Sequence, residues 1–437
     1  MRKMKDSGIE WIGKIPQEWN VCKILYCLKM PLTDGPHTTP ELYDDGVPFV
    51  SAEAVSCGNG RIDFEHIRGF ISEEFYQECC KKYVPHIDDI YMIKSGATTG
   101  KVAIVDTERK FTIWSPLAVF RTDIQKVLPK YMFYFLQSNG FQKQVELGWS
   151  FGTQQNIGMR ALERLNIAFP PLPEQKRIAD FLDGKCADID QIRADIEKQI
   201  EILTDYKKSV ITEAVTKGLN PKSKMKDSGI EWIGKIPEGW KTSYIKRLFD
   251  ITLGKMINSE KDAGLENYLC AANIKWTGIN VEVHKQMHFS EYEKKLYLLN
   301  DGDILVMEGG MAGTAAIYHN EFYPCYIQNS VMRCRSKNAT NLQTFLYYWL
   351  FAIYHLGYID RICNRATIQH YTKEKLGNTP ILFPPLPEQK AIADYLDEKC
   401  SEIDATIAEK QKQLETLEEY KKSLIFEYVT GKKEVPA

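Results

Sequence analysis

Ser95–Lys101 (SGATTGK) comes close to the phosphate-binding loop of nucleotide hydrolases, in which a Gly-rich turn, a Lys and a following Ser or Thr hold phosphates and Mg2+. Here the first Gly stands one residue too close, and Val102 replaces the metal-holding hydroxyl. A nucleotide site is therefore not expected. Two Phe-Pro-Pro-Leu segments, at Phe169 and Phe383, have the spacing of the Asn/Asp-Pro-Pro-aromatic motif of amino-methyltransferases, but a phenylalanine stands where the target amine needs a polar acceptor. His284 and His288 are four apart in a strand-like stretch with no matching carboxylate, so they do not suggest a metal site. No paired-carboxylate, triad, nuclease or Gly-rich dinucleotide constellation is found. The expectation is a non-catalytic chain that binds no metal and no cofactor itself.

The remaining polar residues suit binding. One Gly-rich turn offers Gly96, Thr98, Thr99, Gly100 and Lys101, and a second, Gly309–Thr314, offers Gly310, Gly313 and Thr314. Turns of this kind can bring backbone N–H groups and small hydroxyls close to a phosphate backbone. Two further turns, Gly152–Ile157 (GTQQNI) and Ala366–Tyr371 (ATIQHY), carry Gln154, Gln155, Asn156, Gln369 and His370, with Arg361, Asn364 and Arg365 just before the second. Gln and Asn can bond the N6/N7 edge of adenine in two places at once. These sixteen residues are the candidate DNA-binding set. Plain turns with capping polar groups would look the same in isolation.

The elements that position these turns occur twice. Pro170–Lys185 (PPLPEQKRIADFLDGK) returns as Pro384–Lys399 (PPLPEQKAIADYLDEK), an offset of 214. Met4–Pro16 (MKDSGIEWIGKIP) recurs unchanged at Met225–Pro237, an offset of 221, and each copy continues to a Trp, Trp19 or Trp240. Each Pro-rich segment reads as the start of a long helix, with Pro173 or Pro387 at the first helical position and acidic and amide groups in the first turn. Apolar residues then recur at heptad spacing: Leu182, Ile189, Ile196, Leu203 and Val210 in one copy, Leu396, Ile403, Ile407, Leu414, Leu417 and Leu424 in the other. Arg193, Lys207, Lys410 and Lys421 interrupt the stripes. This is a coiled-coil seam.

Between these landmarks each middle reads as mixed α+β. Asp89–Val105 and Asp303–Tyr318 read as strand, Gly-rich turn and strand, and Pro129–Ser138 and Asn341–Phe351 as short helices with aromatic core stripes. The first long helix, about 65 Å at ~1.5 Å per residue, is separated from the second repeat only by Gly218–Lys224. That short link calls for an antiparallel helix pair with one globular module at each end and the chain termini close together. The expected fold class is α+β: two recognition domains (1–169 and 219–383) and two spacer helices (170–218 and 384–437) around a pseudo-two-fold internal repeat.

Composition sets outer bounds. At 437 residues with 44% hydrophobic content the chain can hold two or more cores. No apolar stretch is long enough to span a bilayer, and the N-terminus lacks the apolar core of a secretory signal. Eleven cysteines without a CxxC pair fit a reduced cytoplasm. The net charge of −2 leaves DNA binding to local charge distribution.

The duplicated PPLPEQ–IAD–LD segments, the paired GIEWIGKIP–W starts and the Gly-rich strand turns resemble the specificity subunit of Type I restriction-modification systems over essentially the whole chain. The resemblance implies two target recognition domains, each reading one half of a split asymmetric DNA sequence, with the paired helices spacing them. It implies double-stranded DNA and two adenine-N6 methyltransferase subunits as partners, with restriction subunits added for cleavage. S-adenosylmethionine, ATP and Mg2+ would then belong to those partners. The competing expectations are a coiled-coil interaction scaffold without DNA reading and a self-sufficient methyltransferase.

Overall fold

The computed structural model describes residues 2–149, 155–257, 264–338, 340, 342–363 and 369–436. The chain divides into two compact units. The first comprises Met1–Ile196 with Gln411–Ala437, and the second Glu197–Lys410. Each long helix, Leu172–Lys217 and Leu386–Val429, therefore contributes one half to each unit.

Both units build the same pair of sheets. In the first unit, Thr33–Asp34, Leu117–Phe120, Ile90–Ile93 and Val102–Ile104 form a four-stranded antiparallel sheet in that order. In the second, Phe249–Leu253, Val331–Ser336, Ile304–Met307 and Ala315–Ile317 do the same. A three-stranded sheet accompanies each, with one antiparallel and one parallel edge: Phe70–Ile71, Val47–Val50 and Thr112–Ile113, then Gln286–His288, Leu265–Leu269 and Cys325–Ile327. The central strands are continuous apolar runs, IYMI and ILVM, and all eight residues are buried, as expected for strands covered on both faces.

The carboxylate that opens each of these strands is also buried. Asp89 and Asp303, each 1% exposed, meet Arg121 at 2.7 Å and Arg335 at 2.6 Å. All four residues obey the 214 offset. Leaving either carboxylate unpaired in the interior would be strongly destabilising.

The short aromatic helices lie where expected, at Pro129–Gln137 and Gln343–His355, and their stripes are core. Tyr134 and Tyr348 donate to Asp183 and Asp397 on the long helices, at 2.7 and 2.6 Å. In the first unit, Tyr131 Oη also reaches the carbonyls of Ala168 and Val429. The hairpin Met4–Asp6/Lys14–Pro16 sets fully buried Trp19 beside the turn at Gly431, where a Cβ would stand 2.5 Å from Pro16. In the second unit the matching hairpin brings Trp240 against Gly218. The first hairpin thus contacts the chain's last helical turn, as the expectation of neighbouring termini requires.

The two long helices pack antiparallel in each unit. In the first, Lys421 bonds Asp190 at 2.6 and 2.8 Å, and Phe181 lies on Tyr428 with ring centroids 4.6 Å apart. In the second, Lys207 bonds Asp404 at 2.8 and 2.6 Å, and Lys410 donates to Gln199 at 2.5 Å. Residue numbers rise along one helix as they fall along the other. The two ion pairs are repeat images: Lys207 and Lys421 differ by 214, as do Asp190 and Asp404. Lys207, Lys410 and Lys421, which interrupt the stripes, thus bond the opposite helix. Polar residues at seam positions fix register and orientation more than they add stability. Of the expected seam, Leu182, Ile189, Ile196, Leu396, Ile403 and Leu424 are buried. Leu203, Val210, Ile407, Leu414 and Leu417 are half-buried, as in a two-helix coil with one side open to solvent.

Each helix begins one residue before the expected proline, with the carbonyls of Pro171 and Pro385 accepting from the next turn. The repeated Gln of PPLPEQ does more than fill that turn. Gln175 is fully buried; its Oε1 accepts from Leu128 N at 2.8 Å, and its Nε2 donates to the carbonyls of Lys126 and Pro170, both at 2.8 Å. Gln389 clamps Leu342, Thr340 and Pro384 in the same way. Gln175→Leu should orphan three backbone groups and cost about 3 kcal/mol in urea unfolding, at 1–3 kcal/mol per orphaned group. A loss below ~1 kcal/mol would show that the clamp is incidental.

No helix among the described residues is long and apolar enough to cross a membrane.

Candidate nucleic-acid interface

The described residues of the four polar turns picked from the sequence meet in two places. In the first unit, Ser95 bridges to Asn156, Gly96 N donates to Gln155 O at 3.0 Å, and Ile157 N donates to Lys94 O at 2.9 Å. In the second, Gly309 bridges to His370, and Tyr371 N donates to Glu308 O at 2.7 Å. These are the same contacts, since Ser95 and Gly309 differ by 214, as do Asn156 and His370. Each unit therefore seats a Gln-containing turn against a Gly-rich hairpin turn.

The hairpin requires its glycines. Gly96 and Gly100 have φ of 106° and 96°, and Gly310 and Gly313 have 74° and 89°, a region costly for residues with a Cβ. At Gly100 a Cβ would also stand 2.2 Å from Gln142 Oε1. The hairpin joins two antiparallel strands, so the phosphate-loop likeness fails on geometry as well: no helix N-terminus follows Lys101.

The expectation of exposed backbone donors needs correction. The N–H groups of Gly96, Thr99, Gly100 and Lys101 already bond Gln155, Gly96, Ile93 and Thr98, and the Thr99 hydroxyl donates to Gly96 O at 2.7 Å. In the second turn Gly313 N and Thr314 N bond Met307 and Met311. Gly100, Gly313 and Thr314 are buried, and Thr314 Oγ1 is enclosed without a hydrogen-bond partner. A side chain buried in this way presents no hydroxyl at the surface. Tight hairpins spend their own donors closing the turn, so what these turns offer a ligand is side chains.

Lys101, Gln155 and Asn156 are exposed in the first unit, with Thr98 half-buried. Lys101 Nζ lies 3.4 Å from Ser56 O. In the second unit Gly310, Arg361 and His370 are exposed, and half-buried Gln369 donates to Asp360 at 3.0 Å. Gln154, Asn364 and Arg365 lie outside the described residues. Beside the first turn opens a cleft of about 510 Å³ whose mixed lining includes Asn59, Lys101, Gln142, Arg193, Lys421 and Lys422. Lys422 holds the Glu418 carboxyl at its rim below the usual carboxylate range. His284 packs edge-on against Phe322 at 4.7 Å, and the described residues contain no cluster of three metal-ligating side chains.

Short helices at Met159–Arg164 and Lys373–Asn378 intervene between the Gln-containing turns and the strands Asn166–Phe169 and Pro380–Phe383. Sequence reading missed them. Their recurrence at one offset was the available signal.

The Type I restriction modification DNA specificity domain matches this chain twice, over residues 21–202 and 237–419. A Methanocaldococcus jannaschii protein described as the MjaX type I restriction enzyme specificity subunit is 30% identical over 441 residues, spanning 96% of this chain and 95% of its own. The MjaVIII specificity subunit of the same organism is 26% identical over 96% of this chain and 94% of its own. A solved structure concerning complex assembly and conformational transition of the type I R-M system contains a chain with the same fold. Its TM-score is 0.73 at 16% identity, with 96% of this chain and 99% of that one covered.

Proposed function

The chain belongs to the type I restriction-modification DNA specificity family, and we propose that each of its two specificity domains reads one half of a split, asymmetric DNA target. One observation carries the division of labour: the same pair of turns is built twice on the same frame, with different side chains on it. Asn156 answers to His370, and exposed Lys101 to buried Thr314, while Gln155 and Gln369 are kept. An identical scaffold with altered tips is what two readers of different sequences require, since base edges are selected by side chains and phosphates only position the protein.

In this reading the first domain spans 1–169 and the second 219–383, with the helical segments 170–218 and 384–437 setting the gap between target halves. Halves centred about 10 bp apart would let both domains approach one face of the duplex. Methyltransferase subunits, two per complex, bind this chain and methylate a flipped adenine at N6 with S-adenosylmethionine. Restriction subunits add ATP- and Mg2+-dependent cleavage of unmodified DNA. The chain contributes specificity and leaves catalysis and cofactors to its partners, in a cytoplasmic complex.

The assembled complex supplies the test. Gln155→Ala should relax selection at one base pair of one half-site, costing about 1–3 kcal/mol against the preferred base. Lys101→Ala should weaken all sequences alike and lower the slope of log affinity against log salt by about one. If a wild-type complex bound all duplexes equally, the chain would be a scaffold rather than a reader.

A further inference from the structure

We infer that Cys22 and Cys27 are an oxidation site that closes a local disulfide in the first unit. Cys22 lies half-buried on the strand Asn20–Lys23, and buried Cys27 ends the short helix Ile24–Cys27 that follows. Their sulfur atoms stand 3.3 Å apart, in mutual hydrogen-bond contact. A disulfide closes at about 2.05 Å, so the sulfurs must approach by roughly a further 1.2 Å. The backbone on either side is held: Cys22 pairs with Ile167 across the strand ladder, Ile24 N donates to Leu165 O at 2.8 Å, and Asp123 N donates to Cys27 O at 2.8 Å. The two sulfurs are therefore presented to each other by a fixed frame.

The chemistry is asymmetric. The hydrogen bond between the two sulfurs lowers the Cys22 pKa, while the same bond and burial raise that of Cys27. Cys22 is also the more exposed of the two. Cys22 as thiolate attacks one oxygen of hydrogen peroxide, expelling hydroxide and becoming a sulfenic acid. The Cys27 sulfur then displaces the sulfenic oxygen as water. Two thiols and one peroxide give one disulfide and two waters. The device is private to the first repeat, because the equivalent positions of the second hold Ser243 and Leu248.

Trypsin provides the readout, since cleavage after Lys23 parts the two cysteines into Ile15–Lys23 and Ile24–Lys29 unless they are bonded. The full chain, treated with peroxide, alkylated and digested, should yield these peptides linked, lighter by two hydrogens than their sum. Cys22→Ser and Cys27→Ser should each abolish the linked species, and Cys57→Ser, removing an exposed thiol, should leave it intact. Slower hydrogen exchange across residues 22–28 should accompany the link. Recovery of Cys22 as sulfinic or sulfonic acid with Cys27 alkylated would overturn the assignment. So would linkage of either cysteine to a different partner.

Discussion

Exchanging residues 19–160 for the corresponding segment of a relative is expected to change one half of the methylated sequence and leave the other half untouched. The segment supplies most of the first unit's core, including the four-stranded sheet and its Gly-rich hairpin. Its attachments to the helical segments include the Gln175 clamp on Leu128 and Lys126. Tyr131 bonds the carbonyls of Ala168 and Val429, and Tyr134 and Lys130 both reach Asp183. Within the exchanged segment itself, Trp19 packs edge-on against Tyr131 at 6.4 Å. A donor segment that retains those side chains should dock. One that loses Tyr131 should fail to fold, because a buried Tyr truncated to Ala costs several kcal/mol and here strands two carbonyls as well. Sequencing the modified adenines decides the matter: alteration of both halves would end the idea of two separate readers.

Lengthening both long helices in step should alter the gap between the halves and leave their bases unchanged. One heptad adds roughly 10 Å of helix, equivalent to about three base pairs along B-DNA. The insertion must be matched, because the ion pairs Lys207–Asp404 and Lys421–Asp190 tie the helices on both sides of the unit boundary and an insertion in one helix alone would put them out of register. A single-helix insertion is therefore expected to lower stability and target binding together. A matched insertion that changed the bases and kept the gap would refute the role given to the helices.

Much of this architecture was legible because the chain states it twice. The paired prolines marked the start of both long helices to within a residue, and the Gly-rich hairpins stood out through their paired glycines. The four candidate turns were found separately in sequence, and nothing local said that Gly96 would touch Gln155 or Gly309 His370. Such contacts depend on sheet register, which is set by residues far away in the chain. The buried clamps Gln175 and Gln389 looked like ordinary first-turn polar residues, because burial of an amide leaves no periodic trace. Their identity across the repeats was the clue. Asp89–Arg121 and Asp303–Arg335 could have been paired by the same comparison. Thr314 was misjudged for a related reason: a turn hydroxyl reads as surface until the fold closes over it.

The central claim is that this chain selects DNA and other polypeptides modify it. The most direct measurement is long-read mapping of N6-methyladenine in a methylation-free host expressing the chain together with its methyltransferase partner, against hosts expressing either alone. The account predicts one split, asymmetric motif, methylated only in the co-expressing cells. Methylation of that motif by the partner alone, or by this chain alone, would contradict it.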